Sequence, residues 1–352
     1  MKVVVVGAGY AGMLAANRIA RKVRTAEITV VNPRPDFVER VRLHQQIAGT
    51  AAAATPLASM LRDGIALRVA AVDKVGDGSV VLDDGASVGF DCAFLAVGST
   101  VRPMPGTVPV GTWEGAEQAR VALAALPAGC TVTVIGGGST GVETAAEVAE
   151  ARPDLQVRIV GSSVGRDFSH RAFQRVRSGL ERLKVAVVDD GVTEVADGVV
   201  RLRSGGEFVS GLTLWAIVSG VPDLAARSGL KVDAGGRALV DPYLRSVDDE
   251  QIFVVGDCAA VPGGRFACAL ATPQAAHAAD TLARLSEGRT PEPYSLRYVA
   301  RAVTLGRRDA VGQFTRPDDS LRRACVTGRT AAVVKEMASR GGKYGVRTGT
   351  GA

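Results

Sequence analysis

Two glycine-rich segments have the residue spacing of a dinucleotide phosphate site. The first, GAGYAG, places Gly7, Gly9 and Gly12 directly after the apolar run at residues 3–6. In such a turn the first glycine permits the bend, the second lets the backbone approach a pyrophosphate, and the third allows helix and strand to pack closely. Free N–H groups at the start of the following helix then bind the phosphates. The cofactor contacts predicted here are Gly7, Gly9, Tyr10, Ala11 and Gly12.

The second segment, GGGSTG, repeats this spacing after the apolar run at residues 132–135. Two such units are far more specific than one, because both must follow a strand and open a helix. They predict two dinucleotides on two domains. The contacts predicted for the second are Gly136, Gly138, Ser139, Thr140 and Gly141.

The second strand of each unit ends without the acidic residue that usually accepts from a ribose hydroxyl. Asn32 takes that position in the first unit, and its amide can still bond to hydroxyls. In the second unit Gly161 is followed by Ser162 and, a little later, Arg166. Small hydroxyl residues with an arginine favour the 2′-phosphate of NADPH. The alternative is an Arg166 that is merely solvated.

Charged and polar residues follow the first unit and the last buried strand. Arg40, Arg42 and His44 lie within residues 36–49, where they either meet a cofactor or belong to a surface helix with solvated arginines. Asp257 follows the buried run at residues 252–255, and ligands bind beyond the carboxyl ends of such strands. A helix is predicted over residues 273–285, with proline in its first turn.

The remaining elements are predicted from apolar runs and turn residues. Helices are expected at residues 11–20 and 142–150, and strands at 27–31, 67–72 and 156–160. Three prolines make residues 102–109 look like a linker. Residues 291–312 are expected to be β-structured, and the glycine-rich basic residues 340–352 to be mobile.

The amino-acid composition indicates the general class of protein to which the chain belongs. The 352 residues, 47% hydrophobic and 22% charged, are typical of a globular chain of two or three domains. No membrane-length apolar run or signal segment is visible, so a cytoplasmic protein is expected. The five cysteines form no CxxC spacing, so no metal site is expected. Residues 297–352 carry 12 Lys and Arg against 4 Asp and Glu, without the interleaved aromatics of a nucleic-acid binder. Peripheral membrane contact stays open.

Taken in order, GAGYAG, AVG, GGGSTGVE, SG and VVGD with its ATPQAAHAAD helix resemble the FAD- and NAD(P)-binding pyridine nucleotide oxidoreductase superfamily. The resemblance covers Lys2 to about Val334 and favours the branch of type II NADH dehydrogenases and apoptosis-inducing-factor-like flavoproteins. It implies an α/β fold with two Rossmann-like domains of the glutathione-reductase type. The FAD domain would be discontinuous, at residues 1–106 and 226–288, the NAD(P)H domain would be 107–225, and a small α+β segment would be 289–352.

The same resemblance implies where the cofactors and the chemistry lie. Noncovalent FAD would have its pyrophosphate at residues 7–12 and its ribityl chain at Asp257, and NAD(P)H would pass a hydride to flavin N5. The residues then expected at the reaction are His44, Arg42, Glu143 and Gln274. Further cofactor contacts are expected at Asn32, Arg40, Val72, Ala96, Val97, Gly98, Ser219, Gly220, Gly256 and Ala275.

Three departures from the family pattern narrow the expected function. Residues 40–44 stand where disulfide reductases carry CxxxxC, so disulfide reduction is not expected. The quinone-side AQxAxQ motif reads PQAAHA, which keeps Gln274 but has Ala278 at the second glutamine. C-terminal amphipathic membrane helices look absent. We expect an FAD-dependent NAD(P)H oxidoreductase with a small, quinone-like acceptor. A reductase of a ferredoxin-type protein and a redox-signalling flavoprotein are the alternatives, and a homodimer stays open.

Overall fold

The protein is described by a computed structural model over residues 1–350. The first half of the chain contains β1 (Lys2–Val6), α1 (Tyr10–Lys22), β2 (Glu27–Asn32), β3 (Asp36–Val38), α2 (Leu43–Ala48), β4 (Ala54–Pro56), β5 (Ala66–Val69), β6 (Val72–Gly76), β7 (Ser79–Leu82), β8 (Ser87–Gly89), β9 (Cys92–Leu95), β10 (Val108–Pro109), α3 (Trp113–Ala125), β11 (Thr131–Ile135), α4 (Ser139–Ala151) and β12 (Gln156–Val160). The second half contains α5 (His170–Arg182), β13 (Ala186–Val188), β14 (Val192–Ala196), β15 (Val199–Leu202), β16 (Glu207–Val209), β17 (Leu212–Trp215), α6 (Leu224–Arg227), β18 (Ala238–Leu239), β19 (Ile252–Val254), β20 (Ala259–Ala260), α7 (Cys268–Ser286), β21 (Ala300–Thr304), β22 (Ala310–Thr315), β23 (Leu321–Thr327) and α8 (Gly328–Thr348).

The first core sheet is parallel, with strand order β19-β9-β1-β2-β5. Strand β1 is buried at all four of its last positions, and it contacts both α1 and strand β8 of the three-stranded sheet β6-β7-β8. A strand covered on both faces reads as the unbroken valine run seen in the sequence. Since β19 begins at Ile252, the chain leaves this sheet after β9 and returns to it more than 150 residues later.

The second core sheet repeats the first in order β10-β17-β11-β12-β13, again with parallel pairing. Each sheet carries a glycine turn between its central strand and the following helix, at residues 7–9 and 136–138. The predicted α/β fold with two Rossmann-like units is therefore confirmed. The expected linker at residues 102–109 is shorter than predicted, because Val108–Pro109 already pairs with β17.

Short antiparallel strands differ from the prediction in two places. The strand expected at residues 67–72 is two strands, since β5 ends at Val69 and β6 begins at Val72. In the C-terminal segment the β-structure expected from residue 291 begins at Ala300 and continues to Thr327 in a three-stranded sheet. Both differences lie at turns, where a local apolar pattern gives the least information.

The C-terminal tail is a helix, and the prediction of a mobile segment from residue 340 was wrong for residues 340–348. Helix α8 exposes the apolar side chains of Val333, Val334 and Met337, and the absence of C-terminal amphipathic membrane helices stays a prediction. Its glycines lower intrinsic helix propensity, but tertiary contacts outweigh propensity. Val346 is buried and its carbonyl accepts from Asn17 Nδ2 at 2.8 Å. Residues 351 and 352 lie outside the described part of the chain.

Helix α7 begins at Cys268, five residues before the predicted start at Pro273. The proline therefore lies inside the helix, where its missing N–H costs the bond to the carbonyl four residues earlier. Most of the side chains from Gln274 to Ala283 are buried, and this packing outweighs one lost bond. Within residues 1–350, no helix combines the length and the apolar character needed to cross a membrane.

Candidate functional site

The two glycine turns have the same geometry. Gly7 and Gly136 have φ of 97° and 127°, a region that favours glycine. A Cβ at Gly12 would overlap the carbonyl oxygen of Gly7, and one at Gly141 would overlap that of Gly136. The first and third glycines are therefore required by the protein itself, in both units.

The middle glycines are different. A Cβ at Gly9 or at Gly138 would have nothing within 4 Å, although each residue has ordinary backbone angles and precedes a helix. Neither glycine is required by contacts within the chain. The space that each leaves open fits a phosphate approaching the N–H groups of the helix start.

A cavity of about 360 Å³ extends from the first turn along the carboxyl ends of the first sheet. Its size is that of a cofactor site. The predicted residues that line it are Gly7, Gly9, Asn32, Arg40, Val72, Ala96, Val97 and Gly98. Lining residues that the sequence did not indicate include Arg34, Ser99, Trp113, Glu114, Pro222 and Arg227. No local motif marks these residues, since they reach the cavity from separate loops and helices.

Asn32 lines this cavity, but its amide is already engaged within the protein. Its Oδ1 accepts from the Ala8 N–H at 3.0 Å, and its Nδ2 donates to the Arg34 carbonyl at 2.7 Å. The side chain therefore fixes the glycine turn to the end of β2. A polar residue at this position was predicted to contact the ribose, whereas its hydrogen bonds here are structural.

Arg40 and Asp257 are joined through Ser99 at the inner end of the cavity. Arg40 Nη1 donates to the Ser99 carbonyl at 2.9 Å and its Nε to the Gly111 carbonyl at 3.0 Å. Ser99 Oγ donates to Asp257 Oδ2 at 2.7 Å. Burial lowers the pKa of Arg40 from its ordinary value. The cavity wall thus holds a cation, Arg40, and a serine bonded to the carboxylate of Asp257, groups that fit a phosphate and a hydroxylated chain.

The turn that carries Asp257 is held from behind by α7. Gln274 is buried, and its Oε1 accepts from the Gly256 N–H at 2.7 Å. Ala275 is fully buried beside it. Gln274 therefore positions the turn, and the AQxAxQ-like segment lies within the helix rather than at its first turn.

Several other predicted contacts lie near the two turns and not in the cavity wall. Tyr10 donates to Glu39 at 3.0 Å, and burial raises its pKa. Ala11 is buried in α1, while Ser139 and Thr140 open α4. Ser162 and Arg166 are exposed after β12. Ser219 and Gly220 lie where the chain passes from the second core sheet back to the first. Ser219 Oγ accepts from the Arg102 N–H, and Gly220 pairs with Thr100.

Arg42, His44 and Glu143 meet the C-terminal helix. Glu143 on α4 accepts from the Thr304 N–H at 2.9 Å and contacts Lys335 of α8. Burial, then the charge of Arg42, lowers the pKa of Lys335 to about 7. Arg42 and His44 are both buried, so the alternative of solvated side chains on a surface helix is wrong for these two, whereas Arg40 is exposed. Sequence reasoning missed Lys335, which lies 192 residues from its partner.

Within residues 1–350, the side chains that could bind a metal or form a disulfide make neither kind of site. These residues contain no group of three metal-binding side chains, and all five cysteines are free. Helix α2 itself contains no cysteine. The two glycine turns and the cavity at the first are therefore the sites that fit cofactors.

Comparison with known proteins gives a consistent result. The family model described as pyridine nucleotide-disulphide oxidoreductase matches residues 1–281. An NADH dehydrogenase-like protein of Mycobacterium tuberculosis is 31% identical over 296 residues, covering 74% of this chain and 73% of that protein. Rhodocoxin reductase of Rhodococcus erythropolis is 30% identical over 292 residues, covering 74% of this chain and 66% of that protein.

Among solved structures, the sulfide:quinone oxidoreductase of Aquifex aeolicus has the same fold. It matches with a TM-score of 0.82, covering 99% of this chain and 92% of that one, at 18% identity. The C-terminal sheet and α8 thus lie within the region of structural similarity.

Proposed function

Because the chain belongs to the pyridine nucleotide-disulphide oxidoreductase family, we propose that it passes electrons from NAD(P)H, through FAD, to a small quinone-like acceptor. The chain is an NAD(P)H-dependent oxidoreductase with FAD as cofactor. Bound FAD supplies the redox chemistry, taking a hydride and giving up electrons. The chain's own residues bind the two nucleotides and orient their reacting rings.

The residues of the first unit bind and orient the flavin nucleotide. The turn at Gly9 offers backbone N–H groups to the pyrophosphate, and Arg40, which lines the same cavity, adds a cation nearby. Asp257 accepts hydrogen bonds from the hydroxylated chain, held in place by Ser99 and Gln274. The observation that carries this proposal is the 360 Å³ cavity leading from Gly9 to Arg40.

The second unit binds the nicotinamide nucleotide. The open space at Gly138 receives its pyrophosphate, and the end of β12 its adenosine ribose. No carboxylate stands at residues 161–165, directly after β12, where the usual ribose-binding acid would lie, although Asp167 follows Arg166 further on. We propose NADPH as a substrate at least as good as NADH. Glu143, fixed by Thr304 and Lys335, orients the nicotinamide end.

The proposed acceptor rests on two points. Helix α2 contains no cysteine, and two of the similar proteins are named for an electron acceptor. Without a cysteine in α2, electrons cannot leave through a disulfide there. The sulfide:quinone oxidoreductase that shares this fold is named for a quinone. Rhodocoxin reductase, at 30% identity, is named for rhodocoxin and supports a second candidate, a protein acceptor of the ferredoxin type.

Steady-state NADPH oxidation by the FAD-loaded protein separates the two acceptors. The quinone proposal predicts turnover when a soluble benzoquinone is the only acceptor, without any iron–sulfur protein. Turnover that depends on a ferredoxin-type protein and stays at background with several quinones would favour the second candidate. Reduction of both at background rates would remove both.

A further inference from the structure

A second, smaller cavity lies where three segments meet, away from the cavity at Gly9. It measures about 70 Å³ and is bounded by the start of α2, the turn between β21 and β22, and α8. That is roughly the volume of two water molecules. Its wall includes Arg42, His44, Arg307, Lys335 and Glu336.

His44 lines this cavity and carries an unpartnered polar atom. The side chain is 6% exposed, and its buried Nε2 has no hydrogen-bond partner within the described chain. A buried polar atom without a partner is costly, so such an atom calls for a water or ligand. Burial lowers the pKa of His44 to about 3, followed by the charges of Lys335, Arg307 and Arg42. Three cations therefore lie close to a neutral imidazole.

Arg307 is the cation with the weakest pairing. Its Nη1 lies 3.8 Å from Glu147, a distance at the limit of an ion pair, and burial raises the pKa of that glutamate. By contrast, Lys335 contacts Glu143, and Arg42 has Glu336 at 3.1 Å and Glu39 at 3.3 Å.

One carboxylate, that of Glu336, also lines the cavity. Its charge is shared between Arg42 at 3.1 Å and Arg340 at 2.7 Å. Two groups in the wall thus lack a strong partner, the guanidinium of Arg307 and the imidazole of His44. Both can donate a hydrogen bond, His44 in its Nε2–H tautomer. Both face a space that fits only a small group.

We propose that this cavity is a binding site for a small oxyanion, with Arg307 and His44 as its donors. The ligand is inorganic phosphate or a carboxylate, since both offer several acceptor oxygens in little volume. Bound there, it bridges α2, the β21–β22 turn and α8, and it neutralises the field around Lys335. This site is separate from the glycine turns at Gly9 and Gly138, although Thr304 and Lys335 in its wall also hold Glu143, and it does not depend on the identity of the electron acceptor.

Titration of the FAD-loaded protein with phosphate and with acetate tests the site, with ionic strength held constant by chloride. Calorimetry should show saturable binding of at least one oxyanion, together with a rise in thermal midpoint. Arg307→Gln should weaken binding about ten- to a hundredfold, the value of a charge-assisted bond. Arg308→Gln, which removes the same charge from the adjacent residue outside the cavity wall, should leave binding unchanged.

The two oxyanions also distinguish the ligand's source. Tighter phosphate binding identifies a free inorganic ion, and tighter acetate binding identifies the carboxylate of a larger molecule. His44→Leu should abolish binding, whereas His44→Gln, which keeps a donor, should retain it. No saturable heat with either anion, or equal binding by Arg307→Gln and the parent, would overturn the proposal. NADPH oxidation is not the readout, so either result leaves the proposed function standing.

Discussion

At the scale of single residues, the proposed use of NADPH rests on the residues just after β12. Gly161 takes the position of the usual acid, and a Cβ there would lie 2.6 Å from the Gly137 nitrogen. A side chain at Gly161 would therefore disturb the glycine turn itself. Ser162 and Arg166 are exposed next to it and can be changed without that disturbance.

We predict that kcat/KM for NADPH at least equals that for NADH. Arg166→Ala should lower the NADPH value about ten- to a hundredfold and leave the NADH value alone, because a charge-assisted contact to the 2′-phosphate is lost. Ser162→Glu should shift preference towards NADH by repelling that phosphate. Steady-state kinetics with both nucleotides measure this. A parent that strongly prefers NADH, and is unaffected by Arg166→Ala, would contradict the prediction.

At the scale of elements, α8 is attached to the rest of the fold largely by polar contacts. Lys343 Nζ donates to Glu39 Oε1 and to Thr55 Oγ1, both at 2.8 Å. Glu39 is 3% exposed and also accepts from Tyr10. The helix thus supplies a cation, besides Arg42, to Glu39, a buried carboxylate that directly follows β3.

Lys343→Met should lower the free energy of unfolding by about 1–3 kcal/mol, because Glu39 would stay buried with one donor fewer. Arg340→Gln on the same helix is the matched control. It breaks an exposed i,i+4 pair with Glu336, worth about 0.3–0.5 kcal/mol. Urea unfolding of the parent and both variants gives the comparison. Equal destabilisation by the two changes would mean that α8 is not held through Glu39.

The sequence revealed local motifs well, but it did not reveal contacts between residues far apart in the chain. The glycine turns were predictable because the spacing of Gly7, Gly9 and Gly12 acts within one strand–turn–helix unit. The positions of Trp113 in the cavity wall and of Lys335 beside Glu143 could not be predicted, because the whole fold brings each residue there. Helix α8 was missed for the same reason: its sequence is rich in glycine, and its partners Asn17 and Glu39 lie some 300 residues away.

At the scale of the whole molecule, a buried neutral histidine links stability to pH. Burial and the nearby Lys335, Arg307 and Arg42 lower the pKa of His44 to about 3, against about 6.5 in the unfolded chain. Between these values the unfolded state binds a proton that the native state does not. The contribution of His44 to stability should therefore be complete above about pH 6.5 and fall as the pH drops, by up to about 1.4 kcal/mol per pH unit.

Urea unfolding at about pH 6.5 and about pH 5 measures this slope, above the range where most carboxylates titrate. His44→Gln should flatten the slope, since the substituted side chain cannot be protonated. His170→Gln, at an exposed histidine, should leave it unchanged. His277, whose pKa burial also lowers, is present in every variant and contributes equally. A slope unaffected by His44→Gln would show that the imidazole is already charged in the native state.

The central claim is that two nucleotide sites act in series, and a single substitution can separate them. Gly138→Val adds a side chain where the chain itself has nothing within 4 Å, so only a ligand at that turn should be obstructed. The measurement is anaerobic rapid mixing of the FAD-loaded protein with NADPH, followed by flavin absorbance. We predict fast bleaching in the parent, and in Gly138→Val full FAD content with bleaching slowed at least about a hundredfold, because the nucleotide can no longer seat its pyrophosphate. Bleaching of Gly138→Val at the parental rate, or a parent that binds no FAD, would contradict the account.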